Sequence, residues 1–366
     1  MNIVVFDNSG LVENGDDFCV EVGTGSFAKE LVDLGHKVTF YGQTVGGLSN
    51  TTDVFPLKSN GIKVIGIKRL NNKIFSYLRI YCLALKPILK ADIVYFFYPS
   101  AMRFLIFTCI LFRKRYGIYI RGIDDLENFE SKIFFKKASF VLTVADFFTD
   151  YVNDIAKRKI ASNIRPMIKL GEQNIVWNRS YSDGKNLEIL FIGRMTNDKG
   201  VIELIHSISQ LNRKGIIVKA NLIGDGEYIN ELKDLSNNLG LHDLIHFKGP
   251  LFDKEEIIKY YLDADLFVLP TYHEGFPRTL YEAMILGIPI ITTFVGGISS
   301  VMIDKFNCLR IEEKSIESLE NGILFAIDNY EKFIEYAENA RDTVLKILTN
   351  RKESHAELFN SIIKKS

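Results

Sequence analysis

Short runs of aliphatic, β-branched and aromatic residues alternate along this chain with segments whose apolar positions recur at helical spacing. In the first half, "NIVVF", "KVTFYG", "KVIGI", "DIVYFFY", "GIYIRG" and "SFVLTVA" predict strands. Between them lie amphipathic stretches such as "FAKELVDLGH", with Gly35 as a helix stop signal. One segment breaks the alternation. "LVENGDDFCVEV" carries Asn14-Gly15 between apolar runs and predicts a β-hairpin inserted before the first helix. Residues 178–185, "NRSYSDGK", are polar and turn-rich, and the pattern then restarts with "LEILFIG", "VKANLIG", "IHFKG", "DLFVLP" and "PIITT". Such alternation predicts α/β architecture with parallel sheets. The expected arrangement is two doubly wound, Rossmann-like domains facing a central cleft, residues 1–180 and 181–350. Residues 351–366 read as a terminal helix that can pack back on the N-terminal domain. In sheets of this kind ligands bind beyond the carboxyl ends of the strands.

Composition narrows the function classes. A chain of 366 residues is long enough for two ordinary cores, and 47% hydrophobic with 25% charged residues suits a water-soluble globular protein. The 45 basic and 45 acidic residues cancel, which argues against a dedicated nucleic-acid partner. The balance is uneven, however, with 24 basic against 18 acidic side chains in residues 1–183. Cys19, Cys82, Cys109 and Cys308 show no C-x-x-C spacing, which suits a reducing compartment and predicts no zinc site. The opening "MNIVVFDNSG" has neither a basic n-region nor a small-residue cleavage site, and the most apolar window, 104–112, is about half of what spans a bilayer. The expected location is cytoplasmic.

The chemistry concentrates in "LPTYHEGFPRTLYEAMILGIPII". "DLFVLP" reads as a buried strand, so "TYHEGF" is the loop at its carboxyl end. Pro277 suits the first turn of a helix, and Gly287 stops that helix before the next strand. Glu274 then sits in the loop and Glu282 in the second turn of the helix behind it. The amides near Arg278 and Thr279 form a ready anion site at the helix start. For either glutamate alone, an ordinary carboxylate near a helix N-terminus is the commoner explanation. The pair, in this loop-helix context, points instead to a ligand with an anion and vicinal hydroxyls. A second cluster, "LFIGRMTNDKGV", puts Gly193, Arg194 and Lys199 just past another strand end. Two cations there suit a diphosphate, Arg through its fork and Lys as a point charge.

Together "FIGRMTNDKG", "LIGDGEYINEL", "IHFKGPL" and "LPTYHEGFPRTLYEAMILGIPIITTFVGG" resemble retaining glycosyltransferases of family GT4, a GT-B group whose E-x7-E spacing Glu274 and Glu282 match. The resemblance is strong over residues 186–310 and weaker before them. It implies that Glu274 contacts the transferred sugar, with the amides of Gly275 and Phe276 nearby. Glu282 holds the ribose hydroxyls, and Arg194 and Lys199 stabilise the departing diphosphate. The chain departs from the family where Gly296-Gly297 is followed by Ile298-Ser299-Ser300 rather than Pro-Glu, and where Cys308 replaces a common glycine. It also lacks the histidine that many members place late in the first domain. "YIRGIDDLE" stands there, leaving Arg121, Asp124 or Asp125 as candidates on the sugar or acceptor side.

The reaction implied is transfer of a sugar from a nucleoside diphosphate donor, UDP favoured, to a hydroxyl of a glycan or lipid-linked acceptor, with retention. No metal or other cofactor is expected, because Arg194, Lys199 and the helix start carry the charge. "DAD" at Asp263–Asp265 precedes its strand and reads as a helix end, and "GDGEYI" lacks the third glycine of a dinucleotide fingerprint. In the first half Gly23-Thr24-Gly25 predicts a small-residue loop through which Thr24 and Gly25 approach the donor phosphate. From Lys68 to Arg115 ten basic residues face one acid, Asp92, with apolar residues interleaved. Basic amphipathic helices of this type lie on anionic membrane surfaces, so peripheral contact at the inner face is expected. The rival readings are a nucleotide-sugar 2-epimerase on the same fold, a catalytically silent nucleotide-sugar-binding subunit, and a dinucleotide-dependent oxidoreductase.

Overall fold

The computed structural model describes residues 1–7, 10–45, 54–68, 70, 72–122, 125–164, 170–184, 186–275, 277–350 and 353–365. The chain divides into two compact units, Met1–Met167 together with Glu353–Ser366, and Ile168–Lys352.

In the first unit the parallel strands run in the order Ala161–Asn163, Phe140–Thr143, Tyr116–Ile120, Ile93–Tyr98, Asn2–Phe6, Lys37–Val45 and Lys63–Lys68. The hairpin read from Asn14-Gly15 is present as Leu11–Asn14 and Asp17–Glu21, extended by Val54–Pro56. Ile93–Tyr98 is buried along its whole length. A strand covered on both faces needs no alternation, which is why "IVYFFY" reads as a continuous apolar run. Helices Lys73–Lys90 and Leu105–Leu111 follow same-handed crossovers onto one face of this sheet. On the other, Val22–Asp33 packs with the terminal helix His355–Lys365. That terminal helix is core: Ala356, Phe359 and Ile363 are buried beside Phe27, Tyr95 and Phe140. The His36 ring lies 2.9 Å from Asn360 Oδ1, and the Tyr95 hydroxyl 2.8 Å from His355 Nε2.

Among its described residues the second unit holds six parallel strands in the order Ile245–Gly249, Lys219–Ile223, Glu188–Ile192, Leu266–Leu269, Ile290–Thr292 and Leu309–Arg310. Counted along the chain this is the doubly wound order 3-2-1-4-5-6, which reverses between Glu188–Ile192 and Leu266–Leu269. The polar stretch that reads as an interdomain junction belongs to this unit. Arg179 donates to the carbonyls of Leu286 and Tyr261 at 3.0 and 2.8 Å, and the Tyr181 hydroxyl donates to Gly287 O at 3.0 Å. Those bonds tie residues 179–181 to two helix ends, so the division of the chain falls earlier than residue 180. The metal-like "DAD" is structural: Asp263 closes the helix Lys254–Asp263, and Asp265 Oδ2 accepts from Glu188 N at 2.8 Å.

Candidate active site

The reversal of strand order puts the switch point of the second unit, where doubly wound sheets take ligands, beyond the carboxyl ends of Glu188–Ile192 and Leu266–Leu269. The loops leaving those two strands are the two clusters singled out by sequence. Gly193 and Arg194 follow the first strand, and a short 3-10 turn, Asn197–Lys199, leads through Gly200 into the helix Val201–Arg213. Gly200 has φ +68°, and a Cβ there would fall 2.1 Å from Pro270 O, so only glycine lets the loops touch.

That contact brings Lys199 to Glu274. Lys199 is buried, and its Nζ pairs with Glu274 Oε1, donates to His273 O at 3.2 Å and lies 3.4 Å from Asp198 Oδ2. The Glu274 side chain keeps 20% of its exposure, so the pair sits at an open edge rather than in the core. Asp198 buttresses it: its backbone carbonyl accepts from Tyr272 N at 2.8 Å and from Thr271 Oγ1 at 3.1 Å. Burial pushes the Asp198 carboxyl up, but the Thr196 hydroxyl, the Lys199 ammonium and the Arg194 charge outweigh it and hold it below the ordinary carboxylate value. Arg194 itself is exposed.

The helix Arg278–Leu286 starts one residue later than the sequence suggests, with Pro277 at the N-cap and no side chain capping it. Its positive end carries Arg278 and Thr279 beside Glu274 and Gly275. Glu282 lies half-buried in the second turn, where its Oε2 accepts from the Tyr261 hydroxyl at 3.2 Å. Tyr261 is fully buried on Lys254–Asp263 and also reaches Thr279 O at 3.1 Å. Burial, reinforced by Glu282, pushes its phenol well above the usual value, so it remains a donor. Sequence reading missed Tyr261 because nothing in its local pattern separates it from a core aromatic.

Backbone contact shapes the remaining wall. Gly193 N donates to Ile223 O at 3.0 Å, and a Cβ on Gly224 would meet Gly193 O at 1.9 Å. A Cβ on Gly296 would fall 1.7 Å from Glu274 O, and Gly297 N donates to Gly275 O at 2.6 Å. The glycine pair therefore holds the Glu274 loop from behind, while Ile298 after it is buried. Cys308 is buried as well, its thiol pushed up by burial and by Asp304.

The first unit gives a mixed result. Gly23, Thr24 and Gly25 do not form the expected loop. They lie in the first turn of Val22–Asp33, where the Glu21 carboxylate caps Thr24 N at 3.3 Å. A Cβ on Gly25 would lie 2.4 Å from the Phe55 ring, so this glycine serves close packing. Arg121 does stand at a strand end, after Tyr116–Ile120. Its Nη2 pairs with buried Asp7 at 3.0 Å, and its guanidinium lies 5.0 Å from the Phe97 ring centre. Asp125 pairs with Arg103 at 3.0 Å. Asp124 and Phe276 lie outside the described residues.

With this geometry in hand, comparison with known proteins is informative. Residues 177–343 match the family model described as Glycosyl transferases group 1. That match lies within the second unit. Among solved structures, the chain is similar over 99% of its length to all of the Anabaena protein HepE, solved with UDP, at 20% identity and TM-score 0.69. It is similar over its full length to all of a sucrose-phosphate synthase from Thermosynechococcus elongatus, at 17% identity and TM-score 0.71. The fold is GT-B. Among curated relatives, a Staphylococcus aureus capsular polysaccharide biosynthesis glycosyltransferase, CapM, is 27% identical over 50% of this chain and 48% of its own. A Bacillus subtilis protein, named as a candidate teichuronic acid biosynthesis glycosyltransferase, is 34% identical over 37% of this chain and 31% of its own. The chain thus matches less than half the length of either of these relatives.

Proposed function

We propose that this protein is a retaining glycosyltransferase of the GT4 type. It moves a sugar from a nucleoside diphosphate donor, UDP-sugar favoured, to a hydroxyl of a glycan or lipid-linked acceptor in cell-surface polysaccharide synthesis. The observation that carries the reading is the convergence of Lys199 and Glu274 at the switch point of the second unit, with Arg194 on the Lys199 loop and Glu282 in the second turn of the helix after Glu274. In this reading Arg194 and Lys199 take up the charge that develops on the departing diphosphate, and the start of Arg278–Leu286 adds its dipole. Groups fixed in place before reaction stabilise developing charge without reorganising. Glu274 lies against the transferred sugar with the Gly275 and Phe276 amides, and Glu282 accepts from the ribose hydroxyls. Before donor binds, the Lys199–Glu274 pair keeps both charges neutralised, and phosphate and sugar hydroxyls take over those two partners. No metal is invoked. An acceptor role for the first unit and a donor role for the second, with the bounds Met1–Met167 plus Glu353–Ser366 and Ile168–Lys352 in place of 1–180 and 181–350, express the same proposal along the chain. A cytoplasmic place, peripheral at the inner membrane face, follows from the lipid-linked acceptor.

The alternative is a catalytically silent nucleotide-sugar-binding subunit, favoured by the Arg121–Asp7 ion pair near the place of the family histidine. Incubation with UDP- and GDP-sugars, following sugar release and its anomeric configuration by NMR, separates the two. Release of the α-sugar from an α-linked donor supports the proposal. Tight UDP binding with no turnover supports the silent subunit, and neither binding nor release removes both.

A further inference from the structure

We propose that the helix Lys73–Lys90 docks this protein on an anionic lipid bilayer, with its outer ridge entering the acyl boundary. The inference deepens the peripheral placement proposed above and is independent of the donor chemistry. This 18-residue helix rests on its own sheet through a narrow stripe, Ser76, Ile80, Ala84 and Ile88, each buried and four residues on from the last. On the opposite side Phe75, Leu78, Cys82, Leu85 and Leu89 recur at steps of three and four. All five are exposed, Phe75 at 62% and Leu78 at 55%. The outer face of a water-bathed helix carries polar residues at such positions. A second ridge, Phe104, Phe107 and Leu111, has the same spacing on and beside Leu105–Leu111, and Leu111 is 76% exposed. The two helices touch and cover the same sheet face. Single exposed hydrophobics need no explanation, but adjoining rows of them mark an interaction surface.

Charge selects the occupant. Arg79, Lys86 and Lys90 are exposed along Lys73–Lys90, Arg113 is exposed beyond the second ridge, and Lys73–Lys90 contains no acidic residue. One flank of the helix opens on a groove of about 1000 Å³, lined by Lys37, Lys63, Lys86 and Lys90 with Ile65 and Leu83 and by no carboxylate side chain. A second copy of this chain, seated ridge to ridge, would set these cations against one another without neutralisation. Nucleic acid is disfavoured because the exposed aliphatic Leu78, Leu85, Leu89 and Leu111 between the ring-bearing positions need an apolar partner, which a charged sugar-phosphate backbone does not supply. Lipid phosphates around an apolar interior match both features. Among the described residues no helix is long and apolar enough to cross a membrane, so the ridge lies in the interface plane.

Cys82 sits in the middle of the ridge, while Cys19, Cys109 and Cys308 are buried, so the wild-type chain can be labelled there. An environment-sensitive nitrobenzoxadiazole on Cys82 is titrated with vesicles of equal parts phosphatidylglycerol and phosphatidylcholine at low salt. Its emission should rise, shift to the blue and be quenched by spin labels on the acyl chains. Vesicles of phosphatidylcholine alone should bind about tenfold less or weaker. Leu78→Glu combined with Leu85→Glu should lower partition into the mixed vesicles by about tenfold or more, with donor hydrolysis in the absence of lipid unchanged. Unaltered emission at Cys82 with bound vesicles, or wild-type partition of the double variant, overturns the proposal. So does a concentration-dependent dimer that the double variant abolishes, in a protein that ignores vesicles. Absence of sugar release would count against the catalytic reading alone, since partition needs no donor.

Discussion

At the scale of single residues, the proposed donor site depends on side chains whose partners are fixed by neighbours outside the motif. Tyr261 is the clearest case, since its hydroxyl aims Glu282 from a buried position. Tyr261→Phe should weaken UDP binding a few-fold and cost about 1 kcal/mol of stability, the ordinary worth of such a hydrogen bond. Calorimetric titration with UDP and urea denaturation read the two effects. Arg194 and Glu282 should fail differently. Glu282→Ala should raise KM for the donor with a smaller change in kcat, because a ribose contact exists before and during transfer. Arg194→Ala should chiefly lower kcat, by about a hundredfold if it stabilises the departing diphosphate. Steady-state kinetics with one donor checks the split, and identical losses in both variants would contradict the assigned roles.

At the scale of elements, helix starts and loop contacts decided what the sequence left open. "GTG" reads as a phosphate loop, yet the hairpin strand before it delivers Glu21 to the N-cap and makes those residues the first helical turn. By contrast the glutamate loop and its helix were legible, because Pro277 and Gly287 punctuate both ends. The terminal helix carries an element-scale prediction through His355. Burial, reinforced by the nearby Arg121 charge, pushes its pKa from the ordinary 6.5 down to about 3. Between those values the unfolded chain takes up a proton that the folded chain refuses. This contribution to stability is therefore whole above the unfolded value and is lost progressively as pH falls below it. Thermal melts from about pH 7 to about pH 5 should show a Tm that declines more steeply in the wild type than in His355→Phe, which has no such group to titrate. Equal slopes would show that the buried ring is not the cause.

For the molecule as a whole, the chain leaves its first unit, builds the second, and returns. Phe359, on the returning helix, is fully buried among Phe27, Tyr95 and Phe140. Phe359→Ala should cost the first unit about 3–5 kcal/mol, read by urea denaturation at Cys82 fluorescence, while UDP affinity of the second unit stays within a factor of about two. The sequence alone determined most of the strands, because a doubly covered parallel sheet demands apolar runs that periodicity exposes. It also singled out Arg194, Lys199 and Glu274 in strand-end loops and Glu282 on the helix that follows, because polar residues there stand out, and the roles given to them are the proposal. The short strands Leu309–Arg310, Val54–Pro56 and Ala161–Asn163 were invisible since they are too short to show a period and lack an apolar run. Tertiary structure alone decided that Lys199 meets Glu274, 75 positions away, and that Tyr261 meets Glu282. It alone left the ridge from Phe75 to Leu89 uncovered. Such facts depend on which strand ends and helix faces become neighbours, and that is set by long-range packing rather than by any local spacing.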